Sequence, residues 1–314
     1  MGGTKTLGAV INSKEGIIAR VKRPTKSGSS QKSYIKDLAG IVDELIDKAE
    51  LKPSNIKAVC LGIPGSVDPY KGVVWLAPNL GLKNFAVKTK LQEKIKLPVL
   101  IENDVNLGAL GVKNFGVGKN ARNMLVMFIG TGIGGAIIID GKIYRGSNFV
   151  AGEIGHVSVE KDGPVCGCGK KGCFEAVASR TAIARNIQKD MKAKKKTVLN
   201  KLTTANKQIK SRMLAEAVSA NDKLVIKHLS AACQVIGRVL ASVTNLMNFD
   251  LIVLGGGLIE ALKHFMVGQI TESFDKYVLK DSAKGIKILA SKLGDDAALY
   301  GGIALAEEFL GIKI

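Results

Sequence analysis

The stretch Gly152-Glu153-Ile154-Gly155-His156, followed after a short run by Cys166-Gly167-Cys168-Gly169-Lys170-Lys171-Gly172-Cys173-Phe174-Glu175, sets one histidine and three cysteines at the spacing H-x9-C-x-C-x4-C. One imidazole and three thiolates suit tetrahedral zinc. Four protein ligands leave no open position for water, so the expected site is structural rather than catalytic. Glycines at 163, 167, 169 and 172 let a short loop wrap around an ion. The bland alternative is three free thiols in a loop, against which weighs the oxidation liability of thiols so closely spaced. The other two of the five cysteines, Cys60 and Cys233, lie in apolar stretches and read as inert core residues. An odd total with three clustered beside a histidine favours metal over a disulfide framework.

Outward from this loop, strands alternate with helices. Residues 6–11 read as a strand, residues 33–49 as a helix with apolar positions three and four apart, and residues 56–63 as a strand ending in Pro64-Gly65. Residues 98–101 form a second short strand running into Glu102-Asn103-Asp104, and residues 124–129 and 136–139 are strands around a glycine-rich turn. Further on come a long helix over 224–247 with one buried stripe, a buried strand at 251–254 and a terminal helix at 295–310. This alternation predicts an α/β chain, with a domain crossing after Asp104, where strand-rich sequence gives way to helix-rich sequence.

Three glycine-rich turns border strands: Gly2-Gly3-Thr4-Lys5, Gly130-Thr131-Gly132-Ile133-Gly134-Gly135 and Gly255-Gly256-Gly257. Glycine lets backbone N–H groups approach a phosphate closely, and a threonine hydroxyl adds a donor. None is a Walker A loop. The second is followed by a strand rather than a helix, which argues against a Rossmann dinucleotide site. Each alone is readily a structural bend; three together favour nucleotide phosphates.

Glu102-Asn103-Asp104 sits at the C-terminal end of a strand, where ligands gather in α/β sheets. Asp104 there is suited to accept a proton from a hydroxyl that Asn103 orients. It is equally suited to cap a following helix over 105–112. Glu153 and Glu175 bracket the cysteine loop, and carboxylates are natural acceptors for the vicinal hydroxyls of a sugar.

The chain has 314 residues, 46% hydrophobic and 23% charged, with a formal charge of +19. That length suits about two domains. The basic residues are spread along the sequence apart from a run at 192–196, and aromatics are 5%, too few for stacking on single strands, so no nucleic-acid partner is expected. No apolar run is expected to span a bilayer, and no secretory signal is visible, which predicts a cytoplasmic protein without membrane contact.

Taken together, Gly2-Gly3-Thr4-Lys5, Gly62-Ile63-Pro64-Gly65, Glu102-Asn103-Asp104, the turn at 130–135 and the block at 152–175 resemble the ROK family (repressors, open reading frames and sugar kinases), most closely its bacterial glucokinases, over essentially the whole chain. The resemblance implies a two-domain α/β fold of the hexokinase/actin-like (ribonuclease H-like) kind with a cleft. Its small domain would comprise residues 1–104 plus about 300–314, and its large domain residues 105–299 with the zinc loop. It implies transfer of phosphate from ATP, with Mg²⁺, to a hexose: most simply glucose to glucose 6-phosphate in glycolysis, with Asp104 as general base. It also implies a homodimer or homotetramer.

Carried over residue by residue, the resemblance puts Gly65, Asn79, Asn103, Asp104, Glu153, His156 and Glu175 at the sugar. Gly3, Thr4, Lys5, Thr131 and Gly132 would lie at the phosphates, and Gly256 and Gly257 near adenosine. His156, Cys166, Cys168 and Cys173 would hold structural zinc, with the second ring nitrogen of His156 free for a sugar hydroxyl. The alternatives are a kinase for N-acetylmannosamine, N-acetylglucosamine or fructose, an inactive fold-mate, and a non-catalytic sugar-sensing regulator. The last is disfavoured because no DNA-binding segment stands ahead of Gly2. The family's first turn is D-x-G-G-T-K, and Met1 stands here at the x position. The expectation is therefore that the neighbours of that first strand are left with unpaired backbone groups.

Overall fold

A computed structural model describes residues 5–12, 15–25, 28, 30–203 and 207–311. They form two compact units, one of Met1–Lys119, Lys142–Ala151 and Asp295–Ile314, the other of Asn120–Gly141 and Gly152–Gly294.

In the first unit, Lys5–Asn12 and Gly16–Pro24 make an antiparallel hairpin. Val59–Ile63 and Val99–Asn103 pair in parallel, with Ile63 opposite Asn103. The crossover that parallel pairing demands holds three short antiparallel strands, Ser66–Asp68, Val73–Ala77 and Leu82–Phe85, and the helix Val87–Ile95. The helix Gln31–Lys48 forms because Tyr34, Leu38, Ile41, Val42 and Leu45 share one face, and Ser30 accepts a bond from Ser33 N at its start. That face packs partly with Ile63, Phe85, Val99 and Ile101 and partly with Ala19 and Val21. The helices Asp104–Phe115 and Ala297–Leu310 touch backbone to backbone: a Cβ on Gly301 would fall 1.8 Å from Leu107 O, and one on Gly111 1.8 Å from Ala297 O.

Among the described residues the two-stranded sheets of this unit do not join. Between them lies a cavity of about 750 Å³, bordered by residues 6–12 on one side and 57–62 on the other. Leu38, Ile41 and Leu45 of one helix and Ile303 and Ala306 of another line it. Each flanking strand thus turns an edge towards apolar space, where backbone N–H and C=O groups have no strand partner among the described residues.

In the second unit, Ile133–Ile139, Met124–Ile129, Leu251–Gly255 and Lys287–Ala290 lie side by side in that order, the first pair antiparallel and the rest parallel. The strand at 133 starts earlier than the sequence suggests. Gly134 and Gly135 are inside it, opposite Phe128 and Met127, so the turn itself is only Gly130-Thr131-Gly132. A Cβ on Gly135 would lie 2.9 Å from Gly152 O and 2.7 Å from Ile154 Cγ2, so this glycine serves the close approach of the following loop rather than a turn.

The helix Lys223–Met247 is capped by Asp222 through Leu224 N and Val225 N. It is long and apolar enough by length and composition to cross a bilayer. Its hydropathy comes from a core stripe: Leu229, Ile236 and Leu240 pack with Ile252, Leu254 and Ile270.

The open edges generate a prediction. Each buried, unsatisfied backbone group costs roughly 1–3 kcal/mol, and roughly 2–4 °C of melting temperature accompanies each kcal/mol in a unit of this size. A chain lengthened ahead of Met1 by an apolar segment able to pair in the cavity is expected to melt several degrees above the 314-residue chain. Equal melting temperatures in calorimetry would show that the edges need no further strand.

Candidate functional site

In the first unit the site is built where the strand Val99–Asn103 runs directly into the helix Asp104–Phe115. The first N–H groups of a helix need acceptors, and Asn103 provides one: its Oδ1 accepts from Val105 N at 2.9 Å and Asn106 N at 3.1 Å. The cap is therefore Asn103 and not Asp104, which corrects one of the two sequence readings of Asp104. Asn and Asp are nearly equivalent caps, so the sequence alone does not separate them.

Asp104 is the first helical residue, half-buried, with Oδ1 3.0 Å from Val105 N. Burial pushes its carboxyl above the usual carboxylate range. The Asn103 amide donates at 3.0 Å to the carbonyl of Gly65, which brings these two predicted residues together. Gly65 has φ +109°, and a Cβ there would lie 2.2 Å from Leu76 O, so only glycine suits the position. Asn79 is exposed on the turn Pro78–Leu80. Lys5, expected at phosphates, pairs through Nζ with Asp295 Oδ2 at 2.9 Å. Gly3 and Thr4 lie outside the described residues.

Behind this junction is an ion-pair cluster with no counterpart in the sequence reading. Glu102 is 1% exposed and Arg145 8%. Arg145 Nε donates to Glu102 Oε2 at 2.7 Å, and Nη1 and Nη2 donate to Glu308 at 3.0 and 3.2 Å. The guanidinium lies 5.7 Å from the ring centres of both Tyr70 and Phe309. Burial works against its charge, but bonds and attraction from Glu308 and Glu102 outweigh burial and raise its pKa above the ordinary arginine value. The other oxygen of Glu102, Oε1, accepts from Asn103 N at 2.9 Å and Asn106 Nδ2 at 3.1 Å.

In the second unit, one ligand atom each from His156, Cys166, Cys168 and Cys173 lies within 4.8 Å of the others. His156 Nδ1 is 3.6 Å from Cys166 Sγ, and Cys168 Sγ is 3.6 Å from Cys173 Sγ. A tetrahedral zinc with bonds of about 2.3 Å to sulfur and about 2.0–2.1 Å to nitrogen spaces its ligands roughly 3.5–3.8 Å apart, so these two pairs are spaced as the ion would space them, and one imidazole with three thiolates is a donor set that fits it. Burial pushes the Cys173 thiol up to about 12, and a bound cation would favour its ionised form. The Lys170 backbone N–H holds the exposed Cys168 below its ordinary value. The second nitrogen of His156, Nε2, lies 3.8 Å from Glu153 Oε2.

The same loop is tied to the glycine turn. Glu175 Oε2 accepts from Ile133 N at 2.8 Å, and a Cβ on Gly132 would fall 2.1 Å from that oxygen. Thr131 is held from the other side: its Oγ1 accepts from Arg180 Nη2 and its carbonyl from Thr181 Oγ1, both at 2.7 Å. Arg180 and Thr181 come seven and eight residues after Cys173, and nothing local in the sequence marks them as holding the turn. At the third glycine turn, Gly255 ends a strand, Gly256 has φ +86°, and Gly257 begins the helix Gly257–Tyr277, which has no side-chain cap.

These units and clusters define a two-domain α/β protein of the hexokinase/actin-like class. Residues 1–309 match the sequence model of the ROK family, and the chain belongs to that family. It is 32% identical over 303 residues to a glucokinase of Halalkalibacterium halodurans, covering 96% of this chain and 92% of that one. It is 29% identical over 280 residues to a xylose repressor of Caldicellulosiruptor bescii, covering 89% and 70%. Among solved structures, a ROK family glucokinase from Streptomyces griseus in complex with glucose and AMPPNP matches with a TM-score of 0.85 at 28% identity, covering 98% and 97%.

The capping geometry separates two neighbouring residues by experiment. Asn103→Ala is expected to cost about 1 kcal/mol through the lost cap, whereas Asp104→Asn leaves the cap intact and changes stability by less than about 0.5 kcal/mol. Urea denaturation of both variants measures the difference. Equal losses would return the cap to Asp104.

Proposed function

We propose that this chain is an ATP-dependent hexose kinase that favours glucose, with Asp104 as the general base. The observation that carries the reading is the division of labour at the strand–helix junction. Asn103 takes the cap, so the adjacent carboxylate is not needed to hold the helix and is left for chemistry. The likeness to glucokinases supports the same reading. Asp104 accepts the proton of the sugar hydroxyl, O6 in glucose, as that oxygen forms its bond to the γ-phosphorus and the bond to ADP breaks. Mg²⁺ bound with ATP would neutralise charge on the transferring group.

Gly65, Asn79, Asn103, Glu153, His156 and Glu175 are the proposed sugar contacts. Lys5, Thr131, Gly132, Gly256 and Gly257, with Gly3 and Thr4, are the proposed nucleotide contacts. The uncapped N-terminus at Gly257 suits an anion. His156, Cys166, Cys168 and Cys173 would hold a structural zinc that shapes the loop between Glu153 and Glu175 and takes no part in the transfer.

A second reading, a sugar-binding regulator, is favoured by the similarity to xylose repressors. A coupled assay of ADP release across glucose, fructose, N-acetylglucosamine and N-acetylmannosamine separates the two. The kinase reading expects turnover with glucose at least about tenfold above the others in kcat/KM, about 1.4 kcal/mol of discrimination. Sugar binding with no ADP release would favour the regulator.

Two further outcomes are expected. Asp104→Asn keeps the shape and removes the base, so kcat falls by about a hundredfold or more. Because burial raises the Asp104 pKa and only its ionised form accepts a proton, wild-type activity is lost as pH falls through a limb above the usual value near 4. An Asp104→Asn variant that keeps most of its turnover would remove the assignment. Separately, elemental analysis is expected to find one zinc per chain and to find it lost in Cys168→Ser, with loosening of the loop; a zinc-free wild type would overturn the metal assignment.

A further inference from the structure

We propose that Arg145 is a positioning residue for Asp104, acting through Glu102. The inference rests on the reading of Asp104 as the base. Glu102 immediately precedes the Asn103-Asp104 pair, and its carboxylate is divided between two tasks. Oε2 takes the Arg145 Nε–H, while Oε1 takes the backbone N–H of Asn103 and the side-chain amide of Asn106. Asn103 in turn caps the helix through Val105 N and Asn106 N. One carboxylate thereby clamps the residue before Asp104 and the residue two after it.

The carboxylate's orientation depends on Arg145. A carboxylate 1% exposed is not held ionised without a cation or several donors, and the fork of Arg145 is fixed at every nitrogen. Nε is on Glu102, both Nη atoms are on Glu308, and the rings of Tyr70 and Phe309 lie within 5.7 Å. A lysine, with one ammonium, does not reproduce this geometry. Glu308 lies in the helix Ala297–Leu310, which is packed directly on the Asp104–Phe115 helix through Gly301 and Gly111. Both the pair and the helix contact therefore bear on the same junction.

The test compares Arg145→Met, Arg145→Lys and Glu308→Gln with wild type and Asp104→Asn. The last of the Arg145-cluster variants loosens the arginine without leaving a buried charge, so it serves if Arg145→Met does not fold. Turnover is measured well below each melting temperature on protein shown to be folded, sugar Kd by calorimetry, and amide exchange by mass spectrometry or NMR. Positioning expects kcat to fall at least tenfold in Arg145→Met, less in Glu308→Gln and with partial recovery in Arg145→Lys. It also expects sugar Kd, which Asn103 can affect, to rise by a smaller factor than kcat falls, and faster exchange confined to Asn103, Val105 and Asn106. Full kcat in folded Arg145→Met, or exchange that rises evenly across the unit, would overturn it and leave a purely structural ion pair. If Asp104→Asn keeps wild-type turnover, the base assignment fails instead, and the localised exchange still reports whether Arg145 orders the junction.

Discussion

A carboxylate buried as deeply as Glu102 is costly to ionise unless a cation and several donors surround it, and the first unit is organised around meeting that requirement. Glu102 is satisfied by Arg145, by the Asn103 N–H and by Asn106. Arg145 is satisfied in turn by Glu308 at the end of the helix Ala297–Leu310. Segments far apart in sequence are thus joined at one point, directly beneath the strand–helix junction. Removing one partner would leave a charge stranded in a medium of low dielectric, which is why such clusters tolerate few partial solutions.

The second unit solves a comparable problem with backbone rather than charge. The loop beginning at Gly152 lies against the hairpin so closely that a Cβ on Gly155 would fall 2.2 Å from Ile133 O. Glu175 closes the contact by accepting the Ile133 N–H. The cysteine cluster lies between these two anchors in sequence. The shape of the loop is therefore defined at both ends by the glycine turn and its strand, and in the middle by the four converging ligand atoms.

How much of this is legible in sequence depends on how local the cause is. The H-x9-C-x-C-x4-C set is readable because its ligands are neighbours in the chain, and the structure brings all four together. The helices at 31–48 and 223–247 are readable because their apolar stripes are periodic. The strand Gly16–Pro24 is hard to read from sequence: Ala19 and Val21 are buried between exposed neighbours, but this period-two signal is diluted by Arg20, Lys22 and Arg23. The cap at Asn103 is ambiguous by one residue, because Asn and Asp cap alike. Arg145 is invisible from sequence: its partners stand 43 and 163 positions away, and an arginine in a polar stretch ordinarily faces water. The shortened glycine turn has the same origin. Gly134 and Gly135 look like turn residues until the loop that presses on Gly135 is placed.

Two strand-to-helix junctions carry the candidate chemistry, and they differ in one respect that follows from helix ends alone. Both helices begin with N–H groups that lack intrahelical acceptors. At Asp104–Phe115 the Asn103 side chain meets two of them, and the neighbouring carboxylate of Asp104 stands beside the cap. At Gly257–Tyr277 the residue before the helix is Gly256, which has no side chain to cap with, and a Cβ there would lie 2.7 Å from Ile129 O, so no capping residue fits. The same tight approach that demands glycine leaves the helix start without a side-chain cap from the residue before it. An anion is the acceptor that a helix N-terminus favours, so the two junctions differ in chemical character: one presents a carboxylate beside a capped helix, the other a helix start with no capping side chain.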